Sequence, residues 1–87
     1  MDVQSRLDTL LGLADSLGIS IRRESLGGEG GGLCRLKGQR VLFVDTAADL
    51  DTRYERTLRA LCDLPEWEGC YVRPELRDDL ERTLKSR

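Results

Sequence analysis

The side chains that could carry chemistry in this sequence are three cysteines, Cys34, Cys62 and Cys70, because the chain contains no histidine. Histidine is the usual general base and a common metal ligand, so its absence removes Ser-His and Cys-His nucleophile pairs. None of the cysteines forms a C-x-x-C pair, and we therefore expect neither a metal site nor a cofactor. Cys34 lies in an apolar run and is expected to be buried beside Phe43, which leaves Cys70 as the candidate reactive thiol.

A glycine cluster is the second candidate for chemistry, because glycine-rich loops cradle phosphate groups. Five of the six residues at 27–32 are glycine, beginning with Gly27 and ending with Gly32. The spacing fits neither G-x-G-x-x-G nor G-x-x-x-x-G-K-[ST], and a strand rather than a helix is predicted to follow. Glu29 would also repel an anion. A flexible connection or a glycine bulge is therefore expected, and a small enzyme or ligand-binding domain that uses Cys70 or this loop is the alternative.

The composition indicates one folded domain over residues 1–87, with 39% hydrophobic and 34% charged side chains. A chain of this length can bury a core without disulfides. The odd number of cysteines suits a reducing compartment. The sequence starts without a basic and apolar leader, and no apolar run is long enough to span a bilayer, so we expect a cytoplasmic protein that does not associate with membranes.

The predicted fold is arranged around residues 30–45, which form a β-hairpin. Residues 33–37 alternate polar and apolar side chains, Gly38-Gln39 fits a two-residue type II′ turn, and residues 41–44 form an apolar run typical of a central strand. Both faces of this hairpin are apolar. The predicted register places Cys34, Leu36, Val41 and Phe43 on one face and Leu33, Arg35, Leu42 and Val44 on the other.

Helical spacing of apolar residues predicts helices at residues 2–17 and 50–64, and Pro74 begins a third with a narrow leucine stripe. Residues 19–22 alternate as a short strand, and residues 70–73 form a possible extended segment. The predicted order is α-β-β-β-α-(β)-α. We therefore expect an α+β domain with a three-stranded antiparallel sheet, covered on one face by the first two helices.

Charge is divided along the chain, although the formal net charge is only −2. Residues 19–44 carry five basic and two acidic side chains, a local +3, whereas residues 45–69 carry three basic and seven acidic ones, a local −4. The candidate basic patch consists of Arg22, Arg23, Arg35, Lys37 and Arg40. It could follow a nucleic-acid backbone, but Phe43 is the single aromatic residue on these strands, which disfavours nucleic-acid binding and leaves it as the second alternative.

The apolar strand Leu42-Phe43-Val44-Asp45 leads into a helix that contains Tyr54-Glu55-Arg56-Thr57-Leu58-Arg59-Ala60-Leu61. This passage resembles the core of the ImmA/IrrE-type zinc metallopeptidases, in which such a helix opens onto His-Glu-x-x-His. Ala60, Leu61 and Leu64 stand where the two histidines and the glutamate of that motif belong. The resemblance therefore implies a peptidase-like scaffold without the zinc site and without peptidase activity. The chain also resembles short proteins encoded in bacterial genomes.

These expectations favour a non-enzymatic protein-interaction or self-associating module over an enzyme. We expect the helices to cover the face that carries Val41 and Phe43, which leaves an apolar face open on the other side of the sheet. The candidate interface on that open face consists of Leu33, Arg35, Leu42, Val44 and Arg22. A homodimer is the partner arrangement that the sequence favours, ahead of a different protein partner.

Overall fold

The computed structural model describes residues 1–29 and 31–86, which form an α+β fold with the predicted order of helices and strands. The elements are α1 (Val3–Ser16), β1 (Ser20–Glu24), β2 (Gly31–Leu36), β3 (Gln39–Asp45), α2 (Leu50–Cys62), a short 3₁₀ helix (Pro65–Gly69) and α3 (Pro74–Ser86). Residues 70–73 form no strand, so the optional extended segment does not join the sheet. No helix in the described part of the chain is long and apolar enough to cross a membrane.

Side-chain caps explain where two of the helices begin. The Asp2 carboxylate accepts a hydrogen bond from the backbone N–H of Ser5 at the start of α1, and Asp49 accepts one from Thr52 at the start of α2. These backbone hydrogen bonds lower the pKa of both aspartates. Gly18 follows α1 with a φ of +80°, a left-handed conformation that suits glycine and ends the helix.

The sheet is mixed, and the expectation of a purely antiparallel sheet is wrong. Its strand order is β1-β3-β2, with β1 parallel to β3 and β2 antiparallel to β3. The chain leaves β1 at Glu24 and enters β2 at Gly31, on the far side of β3. Two strand spacings measure only about 10 Å, so a short connection is long enough to cross the end of the central strand.

The hairpin turn lies at Lys37-Gly38, one residue earlier than the predicted Gly38-Gln39 turn. Both residues have positive φ, 52° and 79°, as a type I′ turn requires. The twist of this turn matches that of the strands, which favours it despite the strain on Lys37. The pairing shifts, so that Leu33 lies opposite Leu42, but the membership of the two faces stays as predicted.

The helices cover the face opposite to the one expected. Leu42 and Val44 are 0% and 3% exposed and belong to the core with residues of all three helices, whereas Phe43 is only half-buried. The physical reason lies in β1, whose parallel pairing places Ile21 beside Leu42 and Arg22 beside Phe43. The apolar side of β1 thus joins Leu42 under the helices, and its polar side joins Phe43. Leu76 and Leu80 of α3 are also buried in this core, so the narrow stripe of α3 contributes directly to it.

Candidate functional site

The sheet side that points away from the helices is not covered by another element in the described part of the chain, and we call it the outer face. It is built by the alternate side chains of the three strands and by one residue of the loop after β1. Its apolar members are Leu26, Cys34, Leu36, Phe43 and the buried Val41, and its solvent-accessible polar members on β1 and β3 are Ser20, Arg22, Glu24 and Gln39. Asp45 of β3 also belongs to this side but is fully buried. Leu26 and Leu36 are 42% and 44% exposed, high values for large apolar side chains. An uncovered apolar sheet face of this kind is typical of a contact surface.

A groove of about 360 Å³ indents the outer face along β2. Leu26, Cys34 and Phe43 contribute to its lining, and the glycines at the start of β2 supply no side chains to fill it. A Cβ atom placed on Gly32 would meet no atom within 4 Å, so the space above this glycine is open. The apolar lining of this shallow groove is suited to contact with an apolar side chain of another molecule.

The charged groups of the outer face balance each other. The Arg22 Nε lies 3.1 Å from a carboxylate oxygen of Glu24, and the Arg22 guanidinium lies 5.7 Å from the centroid of the Phe43 ring. Both contacts orient the Arg22 side chain across the sheet surface, where its aliphatic carbons add to the apolar area. The outer face thus presents apolar side chains next to one balanced ion pair.

Most of the predicted interface residues do not lie on this surface. Leu42 and Val44 are core residues, and Leu33 packs against the core from β2. Arg35 is exposed near the hairpin turn, where its guanidinium donates to the backbone oxygen of Gly38 at 3.3 Å. Of the predicted set, only Arg22 belongs to the outer face, so the structure does not bring the five residues together. The residues that sequence reasoning missed are those of the opposite hairpin face.

The predicted basic patch is divided between the two sides of the sheet. Arg22 lies on the outer face, whereas Arg23 pairs with Val44 on the helix side. Arg40 also turns to the helix side, where it forms an ion pair of 2.8 Å with Glu66 and donates to the backbone oxygen of Leu17 at 2.9 Å. The hydrogen bond from the Arg40 guanidinium to the Glu66 carboxylate raises the pKa of Arg40. Arg35 and Lys37 remain at the hairpin end, and the five cations form no continuous stripe along one face.

The three cysteines occupy different environments. Cys34 is exposed on the outer face, so the prediction that it is buried beside Phe43 is wrong. Cys62 is buried at the end of α2, and the half-buried Cys70 thiol donates to the backbone oxygen of Glu66 at 3.4 Å. Within residues 1–29 and 31–86, no three Cys, Asp or Glu side chains come close enough together to hold a metal ion.

Asp45, fully buried at the end of β3, is a residue whose role the sequence did not reveal. One of its carboxylate oxygens accepts hydrogen bonds from the backbone N–H groups of Leu26 and Ala47, at 2.8 and 2.9 Å, and the other accepts one from Gly28 at 2.6 Å. The glycine-rich loop therefore does surround a negative charge, but that charge belongs to the chain itself. The N–H groups of Leu26 and Gly28, which a phosphate ligand would need, are already bonded to Asp45.

Gly31, the first residue of β2 after the glycine-rich loop, shows how closely the chain approaches β3. Its φ is +88°, and a Cβ atom at this position would lie 2.1 Å from the backbone oxygen of Phe43. Only glycine fits such an approach without a shift of the backbone. The glycines of the cluster are thus explained in part by the path of the chain over the end of β3.

A second buried carboxylate, Asp79 of α3, joins the three helices. It accepts hydrogen bonds from Arg6 of α1 at 2.7 Å and from the Tyr54 hydroxyl of α2 at 2.5 Å, and it also pairs with Arg82. Burial alone would raise the pKa of Asp79, but the hydrogen bonds from Tyr54 and Arg6 outweigh it and hold this pKa below its usual range. Burial and the Asp79 carboxylate together raise the pKa of Tyr54. The arrangement is a structural clamp between helices.

We expect Asp79→Asn to lower the free energy of unfolding by roughly 2 kcal/mol at neutral pH, because hydrogen bonds to a buried charged group are lost. The folded-state pKa of Asp79 is depressed, so its contribution is complete above the unfolded-state pKa and disappears as the pH falls through the folded-state value. Urea unfolding at pH 7 and near pH 3 measures this difference. Asp78→Asn, at the exposed neighbouring position, is the matched control, and an equal effect of both variants at pH 7 would contradict the clamp.

The sequence pattern contains a signal for this clamp. Asp79 follows Leu76 by three residues and precedes Leu80, so it lies on the apolar face of α3 rather than on its solvent side. A carboxylate within an apolar helix stripe predicts a buried partner, although the sequence does not tell which arginine supplies it.

Comparison of this chain with protein-family models, with curated proteins and with solved structures gives no match. The geometry of the described residues is therefore the basis for a functional proposal, and the resemblance to the ImmA/IrrE-type metallopeptidases stays a prediction.

Proposed function

We propose that this chain is a non-enzymatic protein-interaction module that forms a homodimer through the outer face of its sheet. The observation that carries the proposal is the uncovered apolar surface of Leu26, Cys34, Leu36 and Phe43, on a sheet whose other face is packed under α1 and α2. Removal of apolar side chains on an open sheet face from water by a second layer is favourable, so it stabilises the assembly.

The charge of the outer face supports a second copy as the partner. Arg22 and Glu24 neutralise each other on this surface, so two copies can approach face to face without net repulsion. In a symmetric dimer the same patch of each subunit forms the interface. A surface that carries paired charges of both signs is suited to such self-complementary contact. We also propose a cytoplasmic location, where a reducing environment keeps the exposed Cys34 thiol free.

The alternatives find less support in the geometry. An enzyme that uses the glycine-rich loop lacks the free N–H groups of Leu26 and Gly28, because both bind Asp45. Nucleic-acid binding through the basic hairpin is weakened because Arg22 and Arg40 lie on opposite sides of the sheet. Neither observation applies to the protein-interaction proposal.

We expect Leu36→Glu to convert a dimer into a folded monomer, because it places two like charges into the apolar contact. Light scattering over a concentration series gives the mass, and circular dichroism checks that the fold is retained. Tyr71→Glu is the matched control, since Tyr71 is 85% exposed but lies outside the sheet. The proposal fails if the wild-type protein stays monomeric at high concentration, or if both variants change the mass equally.

A further inference from the structure

The β2 edge of the sheet is open to another strand. In the order β1-β3-β2, strand β2 pairs only with β3, and in the described part of the chain no hydrogen bond satisfies the backbone groups on its other side. Natural proteins usually protect such an edge with proline, with several charges or with a covering segment. β2 contains no proline, and Arg35 is its single charged residue.

A second groove, of about 380 Å³, runs along this edge on the helix side of the sheet. Gly31, Gly32 and Leu33 form its wall on β2, and α2 with the residues after it forms the opposite wall. Because side chains of a strand alternate between the faces of a sheet, every second side chain of a strand added to β2 would point toward this groove. The side chains between them would lie on the side of the outer face, next to Leu26 and Cys34.

The wall on α2 is basic. Arg56 and Arg59 are exposed on it, and neither forms an ion pair with a carboxylate among residues 1–29 and 31–86. Asp63 also lines the groove and reduces its local charge to +1. Carboxylates presented from an added strand would therefore find two arginine partners at the wall of the groove.

We infer that β2 binds an extended segment of another protein in which acidic and apolar residues alternate. Its backbone pairs with the free edge of β2, its acidic side chains contact Arg56 and Arg59, and its apolar side chains lie on the side of Leu26 and Cys34. A second copy of β2 fits this site poorly, because Arg35 of that copy would point to the same side as Leu33 and approach the two arginines. This inference goes beyond homodimer formation, because the backbone pairing and the arginine contacts use the edge of β2 and the helix side of the sheet. The apolar side chains of the segment share Leu26 and Cys34 with the outer face.

The test uses a fluorescein-labelled peptide of alternating glutamate and valine, with fluorescence polarisation as the measurement on the full chain. We expect saturable binding, and binding about tenfold weaker or less when lysine replaces glutamate in the peptide. Methylation of alternate backbone nitrogens on the pairing side is expected to abolish binding, since it removes the donors of the added strand. The inference is overturned if the methylated peptide binds as well as the unmodified one, or if no peptide binds at about 1 mM.

Charge reversal on the protein distinguishes the groove from a general attraction to cations. We expect Arg59→Glu to weaken the binding of the glutamate peptide and to strengthen the binding of the lysine peptide. Lys85→Glu, an equal charge change on α3, is expected to leave both affinities nearly unchanged. Circular dichroism confirms that each variant is folded. Equal effects of the two variants would overturn the assignment of the acidic side chains to this groove.

Discussion

Leu42→Glu is expected to unfold the protein, whereas the same substitution at Leu36 leaves it folded. Leu42 is 0% exposed on the central strand, between Ile21 of β1 and Leu33 of β2. Loss of its apolar burial costs about 2 kcal/mol, and an unpaired carboxylate in the core costs several kcal/mol more. A domain of this size has a total stability of roughly 5–10 kcal/mol, so the substitution removes most or all of it.

The two leucines form a direct comparison because both lie on the same hairpin and receive the same new charge. Leu36 is 44% exposed, and a glutamate there remains in water when the protein is monomeric. Urea unfolding followed by circular dichroism gives the stability of each variant. If Leu42→Glu were as stable as Leu36→Glu, the helices would lie on the other side of the sheet, and the assignment of the outer face would be wrong.

The fold class and the order of the elements were predictable because they depend on local patterns. Apolar spacing marks α1 and α2, and alternation divides the hairpin into two faces whose membership is correct even though the turn is displaced by one residue. When a two-residue turn moves by one residue, each residue of one strand lies opposite a partner two positions away from the predicted one. Because side chains alternate between the faces with a period of two, this shift leaves the membership of both faces unchanged. Alternation therefore determines the two faces without fixing the turn.

The choice between the two apolar faces was not predictable from the hairpin, since Leu42 and Phe43 are both large and apolar. It depends on the pairing of β1, which brings Ile21 to the side of Leu42. A short connection between consecutive strands usually indicates antiparallel neighbours, and here it leads instead to the other side of β3. The error in the candidate interface follows from this one long-range pairing.

The buried carboxylates were hidden for a different reason. Aspartate is rarely buried without a partner, so sequence composition places Asp45 and Asp79 at the surface. Their partners are backbone N–H groups of a distant loop for Asp45, and Arg6 for Asp79, 73 positions away in sequence. Spacing within α3 indicates that Asp79 is buried, but sequence spacing does not identify the distant partner of either carboxylate.

Asp45→Asn is the second substitution with a large expected effect, although it is nearly isosteric. The asparagine retains one acceptor oxygen, but its NH₂ group replaces the other. This donor would then lie against a backbone N–H that also donates, either that of Gly28, now 2.6 Å from one carboxylate oxygen, or that of Leu26, now 2.8 Å from the other. The loss of charge-assisted hydrogen bonds and the unsatisfied buried N–H groups together cost roughly 2–4 kcal/mol.

The location of this loss is as informative as its size. Asp45 connects the loop after β1 to the end of β3, so its substitution is expected to increase the hydrogen-exchange rates of the Leu26 and Gly28 amides more than those of the helices. Asp51→Asn, in the first turn of α2 and exposed, provides the control for a change of one charge. If the exchange of the Leu26 and Gly28 amides were the same in the Asp45→Asn and Asp51→Asn variants, the carboxylate would not be what holds the loop over β3, and the glycine-rich cluster would again have free N–H groups for a bound anion.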